Sequence, residues 1–248
     1  MSLDFDELLR LIDERSAAFR AVVASAPDLD VRVPSCPEWT LFDLVQHLGE
    51  GRRKWAAIVA AGPADAPAPK PVWASPAPRE SLDGWMAAST GLMLDALRTA
   101  GPDGGCWTWW PGTATPETAA GVARHQLQEF AVHTYDAQLA VGSAEPLPEV
   151  VALDGVEEFL HTCGTTEVPW PYEPVVLAYQ TTEGPSWSVR LDGDGAHVSH
   201  PATSADAVIT ASASELVMLF YGRITLDAVK LDGDRRHYER LIDWDPTA

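Results

Sequence analysis

The stretch RHQLQEFAVHTYDAQLA, residues 124–140, decides the fold of the first half of the chain. It belongs to a long helix whose start is marked by Thr115, Pro116 and Glu117: a capping hydroxyl, a proline at the first position and an acid near the positive dipole end. The helix runs to about Val141 and stops at Gly142, with Pro-Leu-Pro beyond. Within it, Glu129 and His133 stand four residues apart and project from one face, one turn from each other. A carboxylate oxygen and an imidazole nitrogen suit Zn²⁺ at about 2.0–2.2 Å, and two ligands on one helix want a third from a facing helix.

Working outward, three further helices precede this one. Residues from Phe5 to about Ser25 place Leu8, Leu9, Ile12, Phe19, Val22 and Val23 at helical spacing, with Asp4 as the cap and Pro27 as the stop. An extended stretch, VRVPSCPEW, leads to Thr40, whose hydroxyl caps a second helix carrying Leu41, Leu44, Val45, Leu48 and Trp55. Six prolines between Gly62 and Pro78 read as a long loop, and a third helix covers Leu82 to Arg98, ended by Gly101. His47 lies on the second helix beside its apolar stripe and is the natural third ligand. Three ligands from two helices leave a fourth position open, as in catalytic zinc sites; structural sites are normally closed by four protein groups. Spacing alone also fits an ordinary polar pair, and His125, one turn before Glu129, is an alternative ligand. Asp136, three residues after His133, reads either as the acceptor that orients the His133 ring or as a solvated acid.

After about residue 150 the texture changes. A short helix, Val150 to His161, is followed by β-branched runs at VVLAYQTT, SWSVRL, AHVSH and AVITAS, broken by Gly, Asp and Pro turns. Two more helices, Ser214 to Tyr221 and Arg235 to Asp243, complete a small α+β unit. The chain therefore divides into a helical domain over 1–148 and an α+β domain over 149–248.

Composition narrows the function classes. Seventeen Lys+Arg against 36 Asp+Glu give a net charge of −19, so the chain lacks the basic surface that nucleic acid or an anionic membrane requires. No apolar run approaches the about 18 residues of a membrane span, and MSLDFDELLR is acidic and helix-like, unlike a secretory signal. Three cysteines, Cys36, Cys106 and Cys163, share no CxxC spacing and suggest neither a disulfide framework nor a zinc knuckle. A reducing cytoplasm is expected, with the protein a monomer or a homodimer.

Two motifs carry a family resemblance. V-x-S-C-P-x-W-T-x-x-D-L-V-x-H-L-G (Val33 to Gly49) and E-x-x-x-H-x-x-D-A-x-x-A-x-G (Glu129 to Gly142) resemble the mycothiol-dependent maleylpyruvate isomerase family. SWSV (Ser186 to Val189), ADAVITASASELVMLFYGR (Ala205 to Arg223) and LDGD (Leu231 to Asp234) resemble its second domain. The resemblance implies an α+β protein: a DinB-like four-helix bundle and a smaller C-terminal domain related to sterol-carrier-protein folds. It implies a divalent metal, usually zinc, on His47, Glu129 and His133, the three residues that spacing selects. It also implies mycothiol as the thiol cofactor, activated for isomerisation or S-transfer on a small electrophilic or unsaturated substrate. Members often have Arg directly after the last histidine; here Thr134 follows His133, so one cation for an acidic substrate is missing.

Zinc deprotonates a coordinated thiol, which gives either reaction its nucleophile. Hydrolysis by a zinc-polarised water, or a non-catalytic bundle that binds a metal or a small molecule, uses the same ligands. Arg223, at the end of LFYGR, is a candidate catalytic and cofactor-binding cation, or simply a cation at a helix C-terminus. Arg124 is a second cofactor-binding candidate, while Arg52 and Arg53 read as solvated surface. Cys36 reads as a small structural cysteine before Pro37, and Trp39, Trp55, Trp107, Trp109 and Trp110 as core and pocket wall.

Overall fold

Three of the four long helices of the N-terminal unit begin on a capping side chain. The computed structural model describes residues 3–202 and 204–244. Asp4 accepts from Glu7 N at the start of α1 (Phe5–Ser25), and Thr40 forms a reciprocal capping box with Asp43 at the start of α2 (Leu41–Ala61). A one-turn helix, α3 (Lys70–Trp73), precedes α4 (Leu82–Ala100), and Thr118 accepts from Gly121 N at the start of α5 (Ala119–Ala140). α2 packs mainly on α4 and α1 mainly on α5, burying Ile12, Phe19, Leu44, Leu48, Met93 and Phe130. At Gly49 the Trp85 indole of α4 lies against the α2 backbone, and a Cβ there would overlap it.

The extended stretch VRVPSCPEW forms an antiparallel hairpin of β1 (Arg32–Val33) and β2 (Cys36–Thr40), delivering the chain directly to the Thr40 cap. Two sequence expectations need correcting here. The proline-rich loop contains α3, with a proline in its first turn, where a missing N–H costs nothing. α5 starts at Ala119, and Thr115 does not cap it. Glu117 O accepts from Cys106 N and Ala119 N donates to Gly104 O, so these residues are held extended against the 104–106 segment until Thr118 takes over as cap.

The chain forms two compact units, Met1–Pro111 with Pro116–Leu147, and Gly112–Thr115 with Pro148–Ala248. The second unit starts with α6 (Glu149–Thr162), on which Thr162 Oγ1 lies 2.7 Å from Thr115 Oγ1. Strands β3 (Val175–Thr181), β4 (Ser186–Asp192), β5 (Gly195–Ser199), β6 (Ala207–Ala211) and β7 (Lys230–Gly233) form one sheet in the order β5-β4-β3-β6-β7. All pairings are antiparallel except β3 with β6. The registers Tyr179↔Trp187, Leu177↔Val189 and Tyr179↔Ile209 put these side chains on one face, and all five are buried. α7 (Ala213–Phe220) begins with a Ser212–Glu215 capping box, and α8 (Arg236–Asp243) follows β7. The chain is thus α+β, a helical N-terminal unit followed by a sheet-containing one. Among the described residues, no helix is long and apolar enough to cross a membrane.

Candidate metal centre

α2 and α5 pack against each other and bring His47 opposite Glu129 and His133. Glu129 Oε2 lies 3.8 Å from His47 Nε2 and 3.5 Å from His133 Nε2, and the three donor atoms all fall within 4.8 Å of one another. The His47 and His133 rings meet edge to face at 5.1 Å, and Trp39, at the end of β2, packs on His47 at 4.8 Å. The hairpin and the capping box therefore fix where α2 starts and where His47 points.

Behind the cluster is a second layer. Asp136, fully buried, accepts from His133 Nδ1 at 2.8 Å on one oxygen and from Ser35 Oγ at 2.5 Å on the other. A carboxylate can only accept, so Nδ1 carries the proton and the Nε2 lone pair faces Glu129. This is the oriented-imidazole arrangement that metal-ligating histidines use. Arg52 is buried beneath Glu129, its Nη2 3.7 Å from Glu129 Oε2 and its Nη1 donating to Gln126 O at 3.1 Å. Its guanidinium also lies over the Phe130 ring, 4.4 Å from the centroid.

The electrostatics follow. Burial disfavours ionisation of Glu129, but the adjacent His47 and His133 rings and the Arg52 guanidinium outweigh it and hold the carboxyl well below the usual range. Burial draws Arg52 down to about 10 against the pull of Glu129, which still leaves it charged at neutral pH. Two imidazole nitrogens and one ionised carboxylate oxygen, converging with one imidazole oriented from behind, fit a divalent transition metal such as zinc.

A cavity of about 310 Å³ opens beside the cluster, lined by His47, Glu129, Lys54, Trp55, Trp73 and Trp109, among others. Trp73 comes from α3 and Trp109 from the CWTWWPG loop, so both irregular segments furnish wall. His125 also lines this cavity, ringed by Trp55, Trp109 and Trp110 at 5.2–6.3 Å, and is not part of the three-residue cluster. Arg124 lies on α5 one residue before His125. Arg223 belongs to the C-terminal unit, where its Nη1 donates to Tyr221 O at 2.6 Å just after α7.

The reading of Arg52 and Arg53 as solvated surface is corrected. Arg52 is 1% exposed, and Arg53 lies over Trp85 and donates to Ser89 Oγ at 2.9 Å. Sequence gave one available signal: Arg52 follows Leu48 by four residues, on the apolar stripe of α2.

Fold and site together define a class: a two-unit α+β protein whose helical unit carries an open His–Glu–His cluster between two helices. The family model for the mycothiol maleylpyruvate isomerase N-terminal domain matches residues 9–138, and that for the MDMPI C-terminal domain matches residues 150–240. The chain belongs to the mycothiol maleylpyruvate isomerase family. Among solved structures it is similar to that of the mycothiol-dependent maleylpyruvate isomerase, at 16% identity and a TM-score of 0.59, with 93% of each chain covered. A histidine-to-alanine variant of that isomerase gives 15% identity, the same TM-score and the same coverage. These similarities establish a shared fold. Among curated proteins no significant match is found.

Proposed function

We propose that this chain is a metal-dependent enzyme that activates mycothiol for isomerisation or S-transfer on a small electrophilic or unsaturated substrate. His47, Glu129 and His133 hold the metal, and Arg223 and Arg124 serve the cofactor or substrate. The observation that carries the reading is the convergence of those three donor atoms within 4.8 Å beside a cavity, in a chain of this family. A bound zinc ion supplies a thiolate at neutral pH by lowering the pKa of a coordinated thiol.

The chain's own residues do the rest. Glu129 remains ionised across the physiological range, and Asp136 keeps the His133 Nε2 lone pair directed at the cluster. Arg52 balances the Glu129 charge from the buried side, leaving the opposite side to ligands. Trp55, Trp73 and Trp109 provide apolar wall that excludes water from a bound substrate, and Lys54 supplies a cation at the same cavity. No cysteine lines this cavity among the described residues, and burial pushes the Cys106 thiol up to about 11. Mycothiol, and not a cysteine of this chain, supplies the nucleophilic sulfur in this reading.

The test is incubation of the zinc-loaded protein, with and without mycothiol, against a panel of electrophilic and unsaturated acids. Consumption of free thiol indicates transfer, and turnover with thiol unchanged indicates isomerisation. Turnover indifferent to mycothiol, or no turnover across the panel, contradicts the reading.

A further inference from the structure

The cavity beside the metal cluster differs in chemistry along its length. His47 and Glu129 border it on the side of the cluster, while Trp55, Trp73, Trp109 and His125 border the rest. Along α5, His125 precedes Glu129 by four residues, about 6 Å of helix; along α2, Trp55 follows His47 by eight, about 12 Å. The Trp55 and His125 rings nonetheless meet at 6.3 Å, so the aromatic side chains gather on one side of the cluster. Every residue lining the cavity belongs to the N-terminal unit.

The aromatic rings are fixed from behind. Trp109 is 47% exposed, yet it stands edge to face on Trp110 at 5.2 Å and on His125 at 5.4 Å. Trp110 is buried and lies 5.6 Å from Trp55. The Trp73 N–H donates to Ala68 O at 3.0 Å, so that indole offers carbon surface to the cavity. A single exposed indole is ordinary on a protein surface. Here Trp73 and Trp109 are held in place but only partly covered, around a space of about 310 Å³, at the lower end of the about 300–1,000 Å³ typical of small-molecule sites. An indole gains most from a second π system set offset or edge-on, about 2–10-fold in binding per ring pair beyond the burial of area. A small, flat, aromatic occupant answers both the volume and the walls.

We propose that Trp55, Trp73 and Trp109 form the substrate-recognition site, and that the substrate is a flat aromatic electrophile whose ring rests against them. The proposal rests on the thiol-activating reading of the metal centre and names its substrate class. Because His125 stands only one turn of α5 from Glu129, the reacting carbon must be attached directly to the ring. With a ring-conjugated enone, the thiol sulfur forms a bond to the β-carbon and the C=C π pair moves to the α-carbon. That carbon takes up the proton the thiol has released, and nothing else is consumed.

The test uses the full chain, zinc-loaded, with two readouts. Binding without thiol is measured by titration calorimetry with benzylacetone, which carries the ring but no conjugated double bond, and with its cyclohexyl counterpart, similar in size and more apolar. Benzylacetone is expected to bind about 3–10-fold more tightly. Trp109→Leu and Trp73→Leu keep an apolar wall but remove a π face, and each is expected to lower that ratio at least about 2-fold, whereas Trp109→Phe retains it. Circular dichroism confirms that the variants are folded. Mycothiol addition to benzylideneacetone, taken relative to the uncatalysed rate, is expected to show a higher kcat/KM than addition to the cyclohexyl enone. Absence of saturable benzylacetone binding, a cyclohexyl ligand that binds as tightly, or a ratio unchanged in both folded leucine variants would overturn the proposal. Ring-selective binding without consumption of mycothiol would support the ring site and contradict the thiol reading alone; consumption without ring selectivity would overturn the ring site alone.

Discussion

His133 Nδ1 lies 2.8 Å from Asp136 Oδ2, and this bond sets which face of the imidazole is available to a ligand. Because Ser35 Oγ holds the other carboxylate oxygen at 2.5 Å, the β-hairpin and the ligand-bearing helix are joined through one buried acid. Asp136→Asn keeps the shape but no longer enforces the Nδ1–H tautomer. Zinc affinity is expected to fall about 10–100-fold, as for other second-layer partners of metal histidines. Competition with a chelator of known affinity measures it; Ser35→Ala is expected to act in the same direction and by less.

Arg52 is the buried countercharge of Glu129. Arg52→Met removes the guanidinium while filling its volume, leaving the carboxylate without its nearest permanent cation. A loss of about 2–3 kcal/mol is expected in urea unfolding of the metal-free protein at pH 7, below the about 3–5 kcal/mol for fully buried pairs because Glu129 is 29% exposed. Zinc should restore part of that loss by supplying positive charge. The pH dependence has a definite sign. Glu129 has a depressed folded-state pKa, so its contribution is present above the unfolded carboxyl value and is lost only as pH falls through the lower folded value. Without Arg52 that folded value rises, and acid unfolding of the variant should begin at higher pH.

Gly49 permits α2 to approach the Trp85 indole of α4. Gly49→Ala places a methyl group where ring atoms stand, two residues from His47. Overpacking of this kind costs typically about 1–3 kcal/mol. The expected result is a lower thermal midpoint together with weaker zinc binding, both read on the same preparation.

Cys106 is buried, and burial together with Glu117 raises its thiol to about 11. At pH 8 its thiolate fraction is roughly a few hundredfold below that of a free cysteine with pKa about 8.5, so alkylation should be slower by about that factor. The rate should rise about tenfold per pH unit up to pH 10 and reach the ordinary value in denaturant, as followed by peptide mass spectrometry.

How far the sequence foretells this structure depends on how local each determinant is. Asp4 and Thr40 are read directly as caps, because capping involves residues three apart; Thr115 misleads because the true start at Ala119 is set by pairing with residues 104–106, a contact distant in sequence. β7 is missed since Lys-Leu-Asp-Gly is a short, polar edge strand without alternation, and the parallel pairing of β3 with β6 has no local signature at all. At the site, His47, Glu129 and His133 are legible from helical spacing, and Asp136 from its place one turn further along. Arg52 is not, because charge argues for solvent and only the fold supplies Glu129 as a buried partner. Trp73 was hidden in the same way, inside a proline-rich stretch whose one helical turn carries it to the cavity.

The central claim, that His47, Glu129 and His133 hold a metal to which a thiol binds, is tested most directly by visible and near-ultraviolet spectroscopy of the cobalt-substituted chain. One Co²⁺ per chain is expected, and addition of mycothiol should produce a sulfur-to-cobalt charge-transfer band that is absent in Glu129→Gln and His47→Ala. A cobalt spectrum that mycothiol leaves unchanged, or metal retained at full stoichiometry by both variants, would contradict it.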